Sequence, residues 1–339
     1  MKILIIKLGA IGDVIRTTSI LAALKSRYED SKIDWITKKE SFDVLKNNNL
    51  ISDIYFIDDA KDKDKLSRKS YDLVISLDDD YSGCELAANI NGKKIIGAYA
   101  DNNKKIYTQD SSLWFDMGLI SRFGKQKADE LKAKNKKTYQ EIIYKILGMD
   151  YEKQEPILIL SENESGFGKD FAQKNNITNT DLAIGINTGA GGRWQDKKLS
   201  EEKTAELIDE LNKNIKNAKI ILFGGPEEKK RNKKIKTLVK TKVITSGCDN
   251  SLMEFASLVN LCNVLVTSDS LALHVGAALK KKIVCYFYPT SAREIELYGR
   301  GIKIIWKGKS YCSYQAKCDY PPKIEIKKII DAVKKLLNN

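Results

Sequence analysis

The chain has 339 residues, 42% of them hydrophobic and 30% charged, and carries a net charge of +13. That length exceeds what one hydrophobic core usually serves, so two domains are expected, and no apolar stretch approaches the roughly 20 residues of a membrane helix. Six scattered cysteines without a Cys-x-x-Cys pair, and a single histidine, exclude the usual zinc sites, so no metal is expected. The cysteines read as reduced thiols, although Cys312 and Cys318 are close enough in sequence to bridge. The positive charge favours an anionic partner: nucleic acid, an anionic membrane or a phosphorylated substrate. Its lysines are spread along the chain, and no basic stripe is interleaved with aromatics, so nucleic acid is not expected.

In chain order, "KILIIK", "KIDWIT", "DIYFID", "YDLVISL" and "KKIIGAY" read as strands, being short and rich in β-branched and aromatic residues. Between the first two, Val14, Ile15, Thr18, Leu21 and Leu24 recur at helical spacing, which makes a βαβ unit and a mainly parallel sheet. Lys7, Asp13 and Arg16 interrupt the N-terminal apolar region, so it is not read as a signal peptide and a cytoplasmic protein is expected. The lysine-rich block 123–137 reads as a solvated helix face. One helix is expected over residues 129–148, ending at Gly148. A polar stretch with Pro156 then marks a domain boundary. A second alternating series follows, with strands "DLAIGIN", "AKIILFG", "KVITSG", "NVLVTSD" and "KKIVCYFY". After Pro321 and Pro322 an amphipathic helix closes the chain. The boundaries are 1–155 and 156–322 for two Rossmann-like domains, and 323–339 for the C-terminal helix.

Ligands of open α/β sheets bind at the carboxyl ends of strands, so chemistry is sought in the loops that follow them. The loop "LGAIGDV" has only Gly9 and Gly12, and the second strand ends in "WITKK", basic where a ribose-binding acid is required; a nicotinamide fingerprint is excluded on both counts. No Gly-Lys-Ser/Thr follows, which excludes a Walker loop. Asp13 is left at a helix start, as an N-cap or as a chemical group. The loop "NTGAGGRWQDKKLSEE" places Thr188, Gly189, Lys197 and Lys198 after a strand, a composition suited to a diphosphate or to an ordinary turn. In "LFGGPEEKK", Glu227 and Glu228 begin a helix, where acids are favourable in any protein, and either could bind ribose hydroxyls. In "VTSDSLALHVGAAL", Asp269 and Ser270 open a helix and His274 lies one turn on, at a helix N-terminus suited to an anion.

In order and spacing, "IIKLGAIGDVIRTTSILAALK", "GAGGRWQDKKLS", "FGGPEE" and "TSDSLALHVGAALKKKIVCYFYPT" resemble the heptosyltransferase group of glycosyltransferase family 9 across nearly the whole chain. The resemblance implies an α/β GT-B architecture, two Rossmann-like domains facing across a cleft, with the acceptor on the first and a nucleotide-sugar on the second. It implies that the last helix packs back on the N-terminal domain. It makes Asp13 the general base of an inverting, metal-independent transfer without a cofactor. Thr188, Gly189, Lys197 and Ser270 would meet the donor diphosphate and Glu228 the nucleoside, while Asp269 and His274 match a family block. The implied donor is ADP-heptose. The implied acceptor is a lipopolysaccharide-core or similar anionic glycan, reached by peripheral contact at the inner membrane face. Leu271 and Tyr288 stand where the family usually has glycine. They keep open another nucleotide-sugar, or a non-catalytic homologue that only binds one.

Overall fold

The computed structural model describes residues 1–192, 195–309, 311, 312, 314, 318 and 323–338. The chain divides into two compact units, the first of residues 1–159 with 293–296, the second of residues 160–292 with 297–339. Both are α/β, and the strands read from the sequence are present in both.

The first unit is built on a six-stranded sheet in the spatial order Asp53–Phe56, Lys32–Thr37, Lys2–Ile6, Leu73–Ser76, Ile95–Asp101, Lys104–Tyr107. All neighbours are parallel except the last pair, which is antiparallel. Numbered along the chain within this sheet, the order is that of a Rossmann fold. Ile3, Leu4, Ile5 and Ile6 are fully buried, the signature of a parallel strand covered on both faces. Gly97 explains how the fifth strand closes on the fourth. It has φ +118°, and a Cβ there would lie 1.9 Å from the Ser76 carbonyl oxygen. Gly97→Ala is therefore expected to destabilise this unit by at least about 1–3 kcal/mol, seen as a lowered first transition in thermal unfolding.

Three expectations need correction. Residues 14–27 are two helices, Ile11–Thr17 and Ile20–Arg27. The Thr18 hydroxyl bonds the Ile15 carbonyl at 2.6 Å and Ser19 that of Arg16 at 2.9 Å, and such bonds compete with the helical ladder. The single helix expected over 129–148 is also two, Lys125–Lys134 and Tyr139–Ile146. Thr138 starts the second with a capping box to Glu141. The boundary falls after Ile159 rather than after residue 155. Ile157 N–H donates to the Thr18 hydroxyl at 2.7 Å and Asn47 to the Ile159 carbonyl at 2.9 Å, so the segment beyond Pro156 stays with the first unit.

The second unit holds a six-stranded, wholly parallel sheet in the order Ile244–Thr245, Ala218–Phe223, Leu182–Asn187, Val264–Ser268, Lys282–Phe287, Gly301–Ile305. This again is the Rossmann order. The C-terminal helix Ile326–Asn338 is part of the second unit. Its buried face, with Ile329, Ile330, Val333 and Leu336, belongs to the second core beside Leu207, Leu211, Val264, Val284 and Tyr286. Lys282 donates to the Leu336 carbonyl at 2.9 Å and fixes its end. Pro321 and Pro322 lie outside the described residues. All six cysteines are thiols. Among the described residues no helix is long and apolar enough to cross a membrane.

Candidate active site

In each sheet the strand order reverses between the first and fourth strands, and the loops leaving their carboxyl ends diverge there, which is where such folds bind ligands. In the first unit these loops follow Ile6 and Ser76. Asp78 ties them together. Its Oδ2 accepts from Leu8 N–H at 2.8 Å and Gly9 N–H at 2.6 Å, and pairs with Lys7 Nζ at 3.2 Å. Lys7 also donates to the Leu77 carbonyl at 2.9 Å. Burial pushes the Asp78 carboxyl up, but the Lys7 ammonium and the two N–H groups outweigh it and hold it below its usual range. Burial likewise pulls the Lys7 ammonium down, and the Asp78 and Asp13 carboxylates raise it above its ordinary value. Gly9 lets this turn close: a Cβ would sit 3.1 Å from Asp78 Oδ2 and 3.2 Å from Lys7 Nζ.

The turn delivers Asp13. It is not the N-cap considered from the sequence: Ala10 holds that position without a side-chain bond, and Asp13 stands in the first helical turn. Arg16 pairs with Asp13 Oδ1 at 2.9 Å. The guanidinium lies 3.9 Å from the centre of the Tyr139 ring, and Tyr139 Oη meets the Thr17 hydroxyl at 2.7 Å. The Asp13 side chain keeps 35% of its surface exposed, against 12% for Arg16. An oriented, partly solvated carboxylate of this kind can accept a proton from a bound hydroxyl.

In the second unit the diverging loops follow Asn187 and Ser268. Asn187 Nδ2 donates to the Gly189 carbonyl at 2.8 Å, to Thr267 Oγ1 at 3.2 Å and to Ser270 Oγ at 3.3 Å, joining both loops. Lys197 reaches in from the loop 188–200 and donates to the Asp269 carbonyl at 2.8 Å and to Oδ2 at 3.0 Å. Thr290 donates to the same Oδ2 at 2.7 Å. Burial drives the Asp269 carboxyl up, and the Lys197 and His274 charges with the Thr290 and Lys197 bonds overcome it, leaving it below the usual range. Ser270 is the N-cap of Leu271–Ala278, and its side chain does not cap the helix. The positive end of the helix dipole and the Lys197 ammonium thus lie at one strand end, an arrangement that favours an anion.

Glu228 accepts from Gly225 N–H at 3.1 Å and pairs with Lys198 at 3.1 Å. It lies against Gly189, where a Cβ would come within 2.9 Å of Glu228 Oε2. The structure therefore brings Lys197, Asp269, Ser270 and His274 to one strand end, and Gly189 and Glu228 to its flank. Thr188 is in the loop but its hydroxyl turns inward, bonding Asn232 Oδ1 at 2.6 Å and the Phe223 carbonyl at 3.0 Å. That hydroxyl shapes the loop. Arg193 and Trp194 of the same loop lie outside the described residues. Tyr288 is buried, whereas Leu271 is half-buried at the helix start, so Leu271 is the departure from glycine that can meet a ligand. Sequence reading missed Lys7, Asp78, Asn187 and Thr290. The usable signal for Asp78 is that it closely follows the apolar run of a strand neighbouring the first.

Residues 60–323 match the model of glycosyltransferase family 9 (heptosyltransferase). The matched span includes Asp78 and the whole second cluster and begins beyond Asp13. No curated protein matches. Among solved structures, the glycosyl transferase family 9 protein from Veillonella parvula DSM 2008 is similar at 20% identity, over 99% of this chain and 97% of that one, with a TM-score of 0.77. The E. coli ADP-heptose LPS heptosyltransferase II is similar at 18% identity, over 100% and 99%, with a TM-score of 0.70. E. coli heptosyltransferase WaaC with ADP is similar at 19% identity, over 100% and 99%, with a TM-score of 0.63.

Proposed function

The chain belongs to glycosyltransferase family 9, and from that premise we propose that this glycosyltransferase of two Rossmann-like units moves a heptose, with inversion, from ADP-heptose to an anionic lipopolysaccharide-core or similar cell-surface glycan. The observation that supports this best is the Lys197–Asp269–Thr290 network beside the start of helix Leu271–Ala278, at the reversal point of the second sheet. In this reading the diphosphate lies at that helix start, with Lys197 offsetting the charge that develops as it leaves. Asp269 and His274 hold Lys197 and the helix start in place. Gly189 lets the donor approach the loop backbone, and Glu228 accepts hydrogen bonds from ribose hydroxyls.

Asp13 takes the proton of the acceptor hydroxyl as that oxygen bonds to the anomeric carbon. The bond from this carbon to the diphosphate oxygen breaks on the opposite face, so nucleoside diphosphate departs and the configuration inverts. The protein acts in the cytoplasm, with peripheral contact at the inner membrane face. The test is transfer from ADP-heptose, with ADP release and the anomeric configuration of the product read by NMR. One inverted linkage per ADP is expected, and retention would remove the direct displacement.

Gly189→Ala forces the loop or the Glu228 carboxylate to move. The expected result is roughly tenfold weaker ADP binding by calorimetry, about 1.4 kcal/mol, with the unfolding transition kept. Leu271 supports a second reading, the same reaction from another nucleotide-sugar. Leu271→Gly tests it: unchanged donor preference would show that this side chain does not select the donor.

A further inference from the structure

Residues 117–124 of the first unit form two successive turns, with Ser121 N–H bonded to the Gly118 carbonyl at 3.3 Å and Gly124 N–H to that of Ser121 at 3.2 Å. The inner side is anchored: Phe115 and Met117 are buried, and Ile120 packs against the cluster formed by Cys84, Ala98 and Phe115. The outer side carries Leu119, 89% exposed, and Phe123, 54% exposed, the two highest exposures among the large hydrophobic side chains described. Single exposed apolar residues are ordinary. Two within five positions, both turned outward from a turn whose other side is held in a core, make a small apolar patch, with the Arg122 guanidinium 5.2 Å from the centre of the Phe123 ring.

The turn runs directly into the helix Lys125–Lys134, which buries only Ala128. Residues 122–137 hold seven Lys and Arg against Asp129 and Glu130. The ion pairs Lys125–Asp129 and Lys127–Glu130 are exposed, so they are weak, and Arg122 pairs with Asp116 just outside the stretch at 3.0 Å. With Asp116 counted beside its partner Arg122, the surface keeps an excess of four positive charges.

We infer that Leu119 and Phe123, with the lysine-rich helix behind them, form a surface that docks on an anionic lipid bilayer. Apolar side chains entering the interface and basic side chains beside anionic headgroups are two cooperating signals, and reversible binding needs both. A protein partner fits less well. The helix offers no apolar stripe, and two side chains fall far short of the roughly 800 Å² per partner that a stable dimer buries. The inference rests on the reading that the acceptor is borne by a lipid, while its test does not depend on transfer.

The test is co-sedimentation of the full chain with vesicles of phosphatidylglycerol and phosphatidylethanolamine, and with phosphatidylcholine alone. Binding to the anionic vesicles only, reversed by salt, is expected. The double variant Leu119→Ser, Phe123→Ser, and separately the triple variant Lys132→Glu, Lys134→Glu, Lys136→Glu, should each weaken it at least about tenfold. All five positions are on the surface or partly so, and unchanged melting temperatures check that the variants fold. Equal binding by wild type and either variant, or no binding to anionic vesicles, would overturn the inference. A wild-type dimer that the double variant dissociates in sedimentation would also overturn it, in favour of a second copy. Transfer to a lipid-free acceptor, unaltered in both variants, separates this surface from the reaction: wild-type protein that binds anionic vesicles but transfers no sugar would count against the proposed function alone.

Discussion

Asp13→Asn is expected to lower kcat by about a hundred- to ten-thousandfold, the usual contribution of a positioned general base, while ADP binding changes by less than about twofold. The amide keeps the size of the carboxylate and an oxygen for Arg16, but it has no basicity at neutral pH. Stability should barely move, because the Arg16–Asp13 pair is 35% exposed on the Asp13 side and such pairs contribute at most about 1 kcal/mol. Arg16 also remains stacked on Tyr139. Initial rates with saturating donor, beside calorimetry with ADP, separate chemistry from binding. A variant with wild-type kcat would remove Asp13 from the mechanism.

Asp78→Ala should have the largest effect on stability, about 3–5 kcal/mol, because breaking a buried pair leaves a buried charge uncompensated. The substitution strips Lys7 of its carboxylate and leaves the Leu8 and Gly9 N–H groups without the acceptor that serves both. The pH dependence follows from the direction of each shift. The Asp78 carboxyl is depressed in the folded state. Its contribution is therefore present above the unfolded value of about 3.9 and is lost as pH falls through the folded one. The raised Lys7 describes the same interaction from the other side: it is complete below about 10.4 and lost as pH rises past the folded value. Asp269 adds a second acid-sensitive carboxylate, in the other unit. Urea unfolding at neutral pH and near pH 3 should show a smaller acid loss in Asp78→Ala than in wild type. An equal loss would place the acid sensitivity elsewhere.

The central strands were legible because a parallel sheet covered on both faces demands continuous apolar runs such as "ILII" and "VLV". Lys104–Tyr107 and Gly301–Ile305 were not. They are sheet edges whose residues are only partly buried or exposed, so no apolar run marks them. The helix breaks at Thr18–Ser19 and Asn135–Thr138 were hidden by apolar spacing that continues across them. Hydroxyl and amide bonds to the backbone end those helices, a local competition that periodicity does not register. At the site, "GAIGDV" and "TSDS" were legible because glycine and small polar residues directly follow strands. Asp78 was not, since "DDDYSG" reads as a polar loop until strand order places Leu73–Ser76 beside Lys2–Ile6. Thr188 is legible only as a loop position. Its position after a strand suggested a ligand contact, and only the Asn232 side chain on a distant helix shows where its hydroxyl points.

The most direct test of the nucleotide-sugar site is the melting temperature of the wild-type protein with ADP, UDP, GDP, CDP and NAD, each in turn. A ligand at 100 times its dissociation constant adds about 2.7 kcal/mol to the folded state, enough for a plain shift. Stabilisation by ADP above the others is the expected result, and it leads directly to ADP-heptose as the donor to assay. Preference for another diphosphate would keep the transferase and replace the donor. Stabilisation by NAD with no response to any mononucleotide would contradict the assignment of both loops in the second unit.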